Sequence, residues 1–250
     1  GGGLFANDYS WDEYDEQNYG ANIIGGRQLG RYINAYLSYQ IERSEIEGLD
    51  AFYREAGYQN GVNIKSALTP SISFNNTDDY YVPRSGIIAS TSLEYAGLGG
   101  DMEFIKNRTT FNIYQGLQDY IDMDLILRYK SGFGYIYNDD SSIRGYDSRS
   151  VTPKKKICNP KNSNGTIVNG CEIIETGGKI SFNNSFELSF PIINRLKMRG
   201  VIFYDYGMIG HSDINEIKRS SAGAGIEWIT PIGPLQLFYA QALDDKPGDD

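Results

Sequence analysis

Apolar and polar residues alternate with a period of two through most of the chain, and no run of about 18 apolar residues breaks the pattern. From Tyr120 to Tyr137, the side chains of Ile121, Met123, Leu125, Leu127, Tyr129, Phe133 and Tyr135 share one face. Asp122, Asp124, Arg128 and Lys130 share the other. Ile33, Ala35, Leu37, Tyr39 and Ile41 alternate in the same way with Asn34, Tyr36, Ser38, Gln40 and Glu42. Such a chain folds as sheet, and a transmembrane helix is excluded. A membrane is not excluded, because only every second residue of a transmembrane strand meets lipid and the average composition of a barrel looks soluble. The content of 40% hydrophobic residues therefore decides nothing here. The net charge of −9 argues against a nucleic-acid partner, which needs a basic footprint. An acidic soluble β-sandwich and a membrane-spanning barrel both remain open at this point.

Taken in order, the pattern yields about eleven strands. A first segment from Leu4 to about Tyr14 ends in acidic residues, and Asn18 to Arg27 is a Gly-rich strand. The Ile33–Ile41 strand leads into a charged loop from Arg43 to about Asn60, where a short helix has no clear support. Ile64 to Phe74 is the fourth strand, and Pro70 inside it predicts a bulge, because proline cannot donate to the ladder. Ile87–Tyr95, Met102–Tyr114 and Tyr120–Tyr137 follow. After a long polar segment come strands around Ile180–Phe190, Met198–Tyr206, Ala222–Thr230 and Leu235–Ala242. Short turns alternate with longer loops, as in an outer-membrane barrel. There is no internal repeat and no second domain, so residues 1–250 read as one unit.

Cys158 and Cys171 are the only cysteines, and they lie in the long polar segment with no histidine or third cysteine near enough to complete a zinc site. A disulfide closing this short loop is worth about 3 kcal/mol in the chain-entropy picture and implies an oxidising compartment; two unrelated free thiols are the alternative. No metal and no cofactor are expected. The single histidine, His211, sits after a glycine without a catalytic partner and reads as a solvated loop residue. Asp78-Asp79 and Asp139-Asp140 read as solvated acidic tips rather than calcium sites, and Lys154-Lys155-Lys156 as a solvated face rather than a lipid-phosphate site. The sequons at Asn75, Asn107, Asn164 and Asn183 adjoin or lie in strands and read as chance.

The run Ile143-Arg144-Gly145-Tyr146 resembles the [VI]-R-G-[FY] signature of the BamA superfamily, outer-membrane proteins that fold or translocate other proteins. Three further segments are similar to that family in the same order: Gly177-Gly178 through Glu187, Phe203-Tyr204-Asp205-Tyr206-Gly207, and Ser221 through Leu235 with its Gly-Ile-Glu-Trp and Pro-Ile-Gly-Pro elements. Tyr80-Tyr81-Val82-Pro83-Arg84-Ser85-Gly86 is a weaker match to an aromatic-Pro-x-x-Gly turn. The stretch between Tyr137 and Ser141 departs from the pattern, being shorter and lacking an aromatic and a Gly-Gly. Within the superfamily the likeness is strongest to the bacterial assembly-factor branch.

The resemblance implies an all-β fold, an antiparallel transmembrane β-barrel in the bacterial outer membrane with about eleven of sixteen strands present. Residues 1–250 would then be its C-terminal barrel portion. The first strands, the final strand, the preceding POTRA domains and the seam between first and last strands would lie outside it. It implies a non-enzymatic function: folding and inserting β-barrel proteins, with unfolded outer-membrane proteins as substrates, outer-membrane lipid as surroundings and accessory lipoproteins as partners. The alternative is a two-partner-secretion or TamA-like transporter of the same superfamily. It also implies that the signature loop folds back into the lumen, where Arg144 meets Glu187 and Asp205. The alternation independently puts Glu187 on a polar face; Asp205 shares its face with Val201 and Phe203. Otherwise Arg144 is exposed, and the two carboxylates pair with Arg199 or Lys197.

Overall fold

The computed structural model describes every residue except 12–13, 136–142, 145, 147–150, 245 and 247–250. The first seven strands are β1 (Gly2–Ser10), β2 (Asp15–Gly30), β3 (Ile33–Glu47), β4 (Gly61–Asn75), β5 (Ser85–Ala96), β6 (Phe104–Gly116) and β7 (Ile126–Tyr135). The short β8 (Lys154–Cys158) and β9 (Cys171–Glu175) follow, then β10 (Ile180–Ile193), β11 (Met198–Gly210), β12 (Ile217–Thr230) and β13 (Gly233–Ala242). Eleven of these form one antiparallel sheet in the order β1-β2-β3-β4-β5-β6-β7-β10-β11-β12-β13, and β8-β9 is a separate hairpin. No pairing joins β1 to β13 among the described residues, so this sheet is open.

The period-two pattern assigns the faces. Leu37, Leu93, Leu127, Phe186 and Ile202 are exposed on the outer face, as residues that meet lipid must be. Arg128, Glu187, Arg199, Val201, Phe203 and Asp205 are buried on the inner face. Connections at one end are short, with residues 31–32, 194–197 and 231–232 joining hairpins. The opposite end carries the segments 48–60 and 136–179.

The structure departs from the sequence pattern in four places. β7 begins at Ile126, because Gln118–Ile121 form a helical turn that ends at Asp122 in the left-handed region. The Leu117 N–H donates to the Leu125 carbonyl and closes the hairpin there, so the alternation before Ile126 belongs to a turn. Pro70 causes no bulge. The β4–β5 register is the same at Leu68↔Tyr95 and Ser71↔Ser92, and the ladder merely lapses between them, where the proline nitrogen has no proton to donate. β3 runs on to Glu47, and a helix α1 (Ala51–Ala56) occupies the presumed loop. The Asp50 side chain accepts the Tyr53 N–H at 2.8 Å and caps this helix, and Gly57 ends it with φ +113°.

The fourth departure is the β8-β9 hairpin inside the cysteine segment. Cys158 pairs with Cys171 across it and the two form a disulfide. Its five-residue strands bury too little surface to persist alone. Ile157 and Ile174 instead pack on Phe52 of α1, with Tyr53, Ala56 and Val168 around them, and the Tyr58 hydroxyl donates to the Glu175 carbonyl at 3.2 Å. A small second core thus caps the long-loop end of the sheet.

Candidate functional site

Arg144 leaves the long 136–179 connection and points into the concave inner face. Its Nε and Nη2 donate to Asp205 Oδ2 and Oδ1, both at 2.7 Å, the two-pronged geometry that a planar guanidinium and a carboxylate favour. Nη2 also lies 2.8 Å from Ser185 Oγ and 3.0 Å from Glu187 Oε1. Ser185 and Asp205 are opposite one another on β10 and β11, and Glu187 is two residues along β10, so strand alternation alone brings all three acceptors to one spot.

The apolar residues beside Asp205 have a use there. The Arg144 guanidinium carbon sits 3.5 Å above the centre of the Phe203 ring and 5.0 Å from that of Phe238, and the two rings meet edge to face. A cation over an aromatic face gains about 0.5–2 kcal/mol, depending on its desolvation. Phe203 lies flat because Gly223 is its neighbour on β12. A Cβ there would come 2.5 Å from the ring and 2.2 Å from the Tyr239 carbonyl oxygen. Gly207 has a similar origin, since a Cβ on it would meet Ile143 Cδ1 at 2.5 Å. Ile143 packs with Val151, Ile209, Tyr146 and Ile217, and the Tyr146 hydroxyl donates to the Ser220 carbonyl at 2.9 Å. Gly145 lies outside the described residues.

Sequence reasoning missed a second set of inner charges. Arg128 Nη1 and Nη2 donate to Glu227 Oε1 and Oε2 at 2.9 and 2.8 Å, although the residues lie 99 apart in sequence. β7 and β12 are three strand spacings apart, roughly 14 Å along the wall, so this contact exists only because the sheet curls strongly. The same Arg128 Nη1 is 3.6 Å from Glu187 Oε2, and Lys130 Nζ is 3.0 Å from Glu187. Arg144, Arg128 and Lys130 therefore stand against Asp205, Glu187 and Glu227, a balanced set suited to bracing rather than to holding a charged ligand. Arg199 does not turn to Glu187 or Asp205. It donates to the Asp124 carboxylate and carbonyl, both at 3.0 Å, and Arg84 pairs with the same carboxylate. The only available signal for these pairs was the polar face carrying Arg128 and Lys130. A cavity of about 510 Å³ beside the cluster is lined by Arg108, Lys130, Arg144, Glu187, Asp205 and Gln236, with threonine, serine and asparagine side chains between them.

The remaining candidates resolve individually. Asp78 and Asp79 accept backbone N–H groups of their own turn, including those of Arg84 and Tyr81. Asp139-Asp140, and the short stretch between Tyr137 and Ser141, lie outside the described residues. Among the described residues no three His, Cys, Asp or Glu side chains gather as metal ligands. His211 serves through its backbone. Its N–H, with those of Ser212 and Asp213, donates to the Glu216 carboxylate, and these bonds lower the Glu216 pKa to about 2. A depressed acid stabilises its loop fully above the ordinary glutamate range and loses that contribution as the pH falls through its folded value. The amide resonances of His211, Ser212 and Asp213 should accordingly titrate with a midpoint near pH 2. A midpoint in the usual glutamate range would show that the carboxylate does not hold the loop.

Comparison with known proteins bears on the whole chain. The Omp85 superfamily domain matches residues 1–250. The outer membrane protein assembly factor BamA of Neorickettsia risticii is 27% identical over 211 residues, covering 76% of this chain and 26% of that protein. The protein of the same name from Nitratidesulfovibrio vulgaris is 25% identical over 261 residues, covering 94% and 30% respectively. The chain thus spans less than a third of the length of these relatives. The crystal structure of BamA from Haemophilus ducreyi lacking POTRA domains 1–3 superposes with a TM-score of 0.83 at 21% identity, covering 100% of this chain and 56% of that one.

Proposed function

The chain belongs to the Omp85 superfamily and is a bacterial outer-membrane β-barrel protein, and from that premise we propose that it forms the barrel wall and signature loop of an outer-membrane protein assembly factor. The observation that carries the proposal is the clasp of Arg144, from the Ile143–Tyr146 signature, by Asp205 and Glu187 on adjacent strands. In this reading the loop, pinned inside the lumen by a balanced set of ion pairs, has a mechanical, non-enzymatic role. The relatives named for assembly of outer-membrane proteins support the assembly-factor branch.

In this reading residues 1–250 are the C-terminal barrel domain of a longer protein that carries POTRA domains ahead of it. Its substrates are unfolded outer-membrane proteins, its surroundings outer-membrane lipid, and its partners accessory lipoproteins. Exposed strand edges template the addition of further strands, which gives such a barrel a physical means of guiding a substrate into sheet. The braced wall would keep the barrel curved while a seam elsewhere opens.

Depleting the full-length protein in its own cells and quantifying many outer-membrane barrels together tests the proposal. A general fall, with loss of viability, is the expected result. Loss of one secreted protein with the other barrels intact would instead identify a two-partner-secretion or TamA-like transporter.

A further inference from the structure

Arg128 occupies a position that no reading of the signature loop explains. It lies on β7 directly opposite Glu187 of β10, yet its fork is committed to Glu227 on β12. Glu187 is the most enclosed member of the cluster, its side chain 1% exposed, against 13% for Glu227 and 7% for Asp205. A carboxylate so removed from water draws in whatever cation can reach it, because an uncompensated buried charge is costly. Three cations are within reach: Lys130 at 3.0 Å, Arg144 at 3.0 Å and Arg128 at 3.6 Å. The two arginines each have a second full-strength acceptor on another strand, Asp205 on β11 for Arg144 and Glu227 on β12 for Arg128, and Gln236 Nε2 donates to Glu227 at 3.2 Å.

We propose that Glu227 is a positioning residue for the signature loop: by engaging both prongs of Arg128 it keeps that cation, 3.6 Å from Glu187, from closing to hydrogen-bond distance and leaves Glu187 for Arg144. The loop and the wall thereby share one cation. With Arg144 seated, Glu187 Oε1 is held by Arg144 and Lys130 while Arg128 ties β7 to β12 across the curl. With Arg144 withdrawn, Glu187 takes Arg128, the β7–β12 tie weakens and the wall can flatten. Loop insertion and wall curvature are then linked, and the linkage is reciprocal. The proposal does not depend on which cargo the barrel handles.

The test compares Glu227→Gln with the double variant Arg128→Gln/Glu227→Gln in the full-length protein, in bilayers. It reads hydrogen exchange of the peptide containing Ile143, Arg144 and Tyr146, with heat-modifiable migration as the control for folding. Glu227→Gln frees Arg128 to compete for Glu187, so exchange should rise about tenfold, the change that corresponds to roughly 1.4 kcal/mol of coupling. The double variant removes the competitor as well, and exchange should return to within about twofold of the parent. A β7–β12 tie acting only as a strut predicts equal rises, because the double variant lacks the tie just as the single one does. Equal rises in both variants, or no rise in either, would overturn the proposal. If Glu227→Gln alone fails to fold while the double variant folds with a protected loop, the proposal stands, since the freed Arg128 is their sole difference.

Discussion

Replacing Arg144 with alanine is expected to release the signature loop from the lumen at a cost of about 3–5 kcal/mol, the usual penalty for removing one partner of a buried ion pair. The size follows from what stays behind. Asp205 loses both of its 2.7 Å bonds, and Glu187 loses one of its cations while enclosed in the wall. Phe203 and Phe238 lose the guanidinium that covers them. Arg144→Lys should recover only part of the loss, because an ammonium reaches one carboxylate at a time and cannot stack flat on Phe203. Protease digestion of the intact protein checks this through the rate of cleavage within the signature loop. Cleavage as slow as in the parent would mean that Ile143 and Tyr146, packed on Ile209, Ile217 and the Ser220 carbonyl, hold the loop unaided.

Gly223→Val should be the more damaging change, although it touches no charge. A Cβ at 2.2 Å from the Tyr239 carbonyl oxygen meets the backbone of β13, which no rotamer can move aside, and at 2.5 Å it also strikes the Phe203 ring. Overpacking in a tight interior costs about 1–3 kcal/mol and more where backbone must shift. Here the shift splits the β12–β13 ladder around Gly223↔Ala240 and tips the platform beneath Arg144. The expected outcome is loss of the folded, heat-modifiable species in most of the protein, with rapid loop cleavage in the remainder. Gly223→Ala should give the same defect in milder form, since it adds the offending Cβ without the branches. A Gly223→Val protein that folds fully and keeps its loop protected would refute this account of Phe203.

Both predictions turn on residues whose roles were unequally visible beforehand. Glu187 was legible because alternation is local: once Phe186 and Leu188 face outward, the residue between them faces the lumen wherever the strand lies in the fold. Asp205 was less so, since Val201 and Phe203 look like misplaced core residues until Phe203 is seen to carry the Arg144 guanidinium. Ile121 and Met123 continued the rhythm of β7 by coincidence. A turn can keep period two for several residues, and only the Leu117–Leu125 hydrogen bond shows that the chain has already reversed.

The sequence alone determined the eleven strands of the main sheet apart from their ends, the faces of those strands and the inward placement of Glu187, because each rests on a repeat of two residues within a single strand. It also carried the signature that points to Arg144. The tertiary structure decided who meets whom. Arg128 finds Glu227 only when the sheet curls through three strand spacings. Phe52 meets Ile157 and Ile174 only when the β8-β9 hairpin folds back onto α1, and Arg144 reaches Phe203 only when the loop re-enters the lumen. These contacts depend on the summed twist of many strands and on the path of a long connection, quantities that no local window of residues contains.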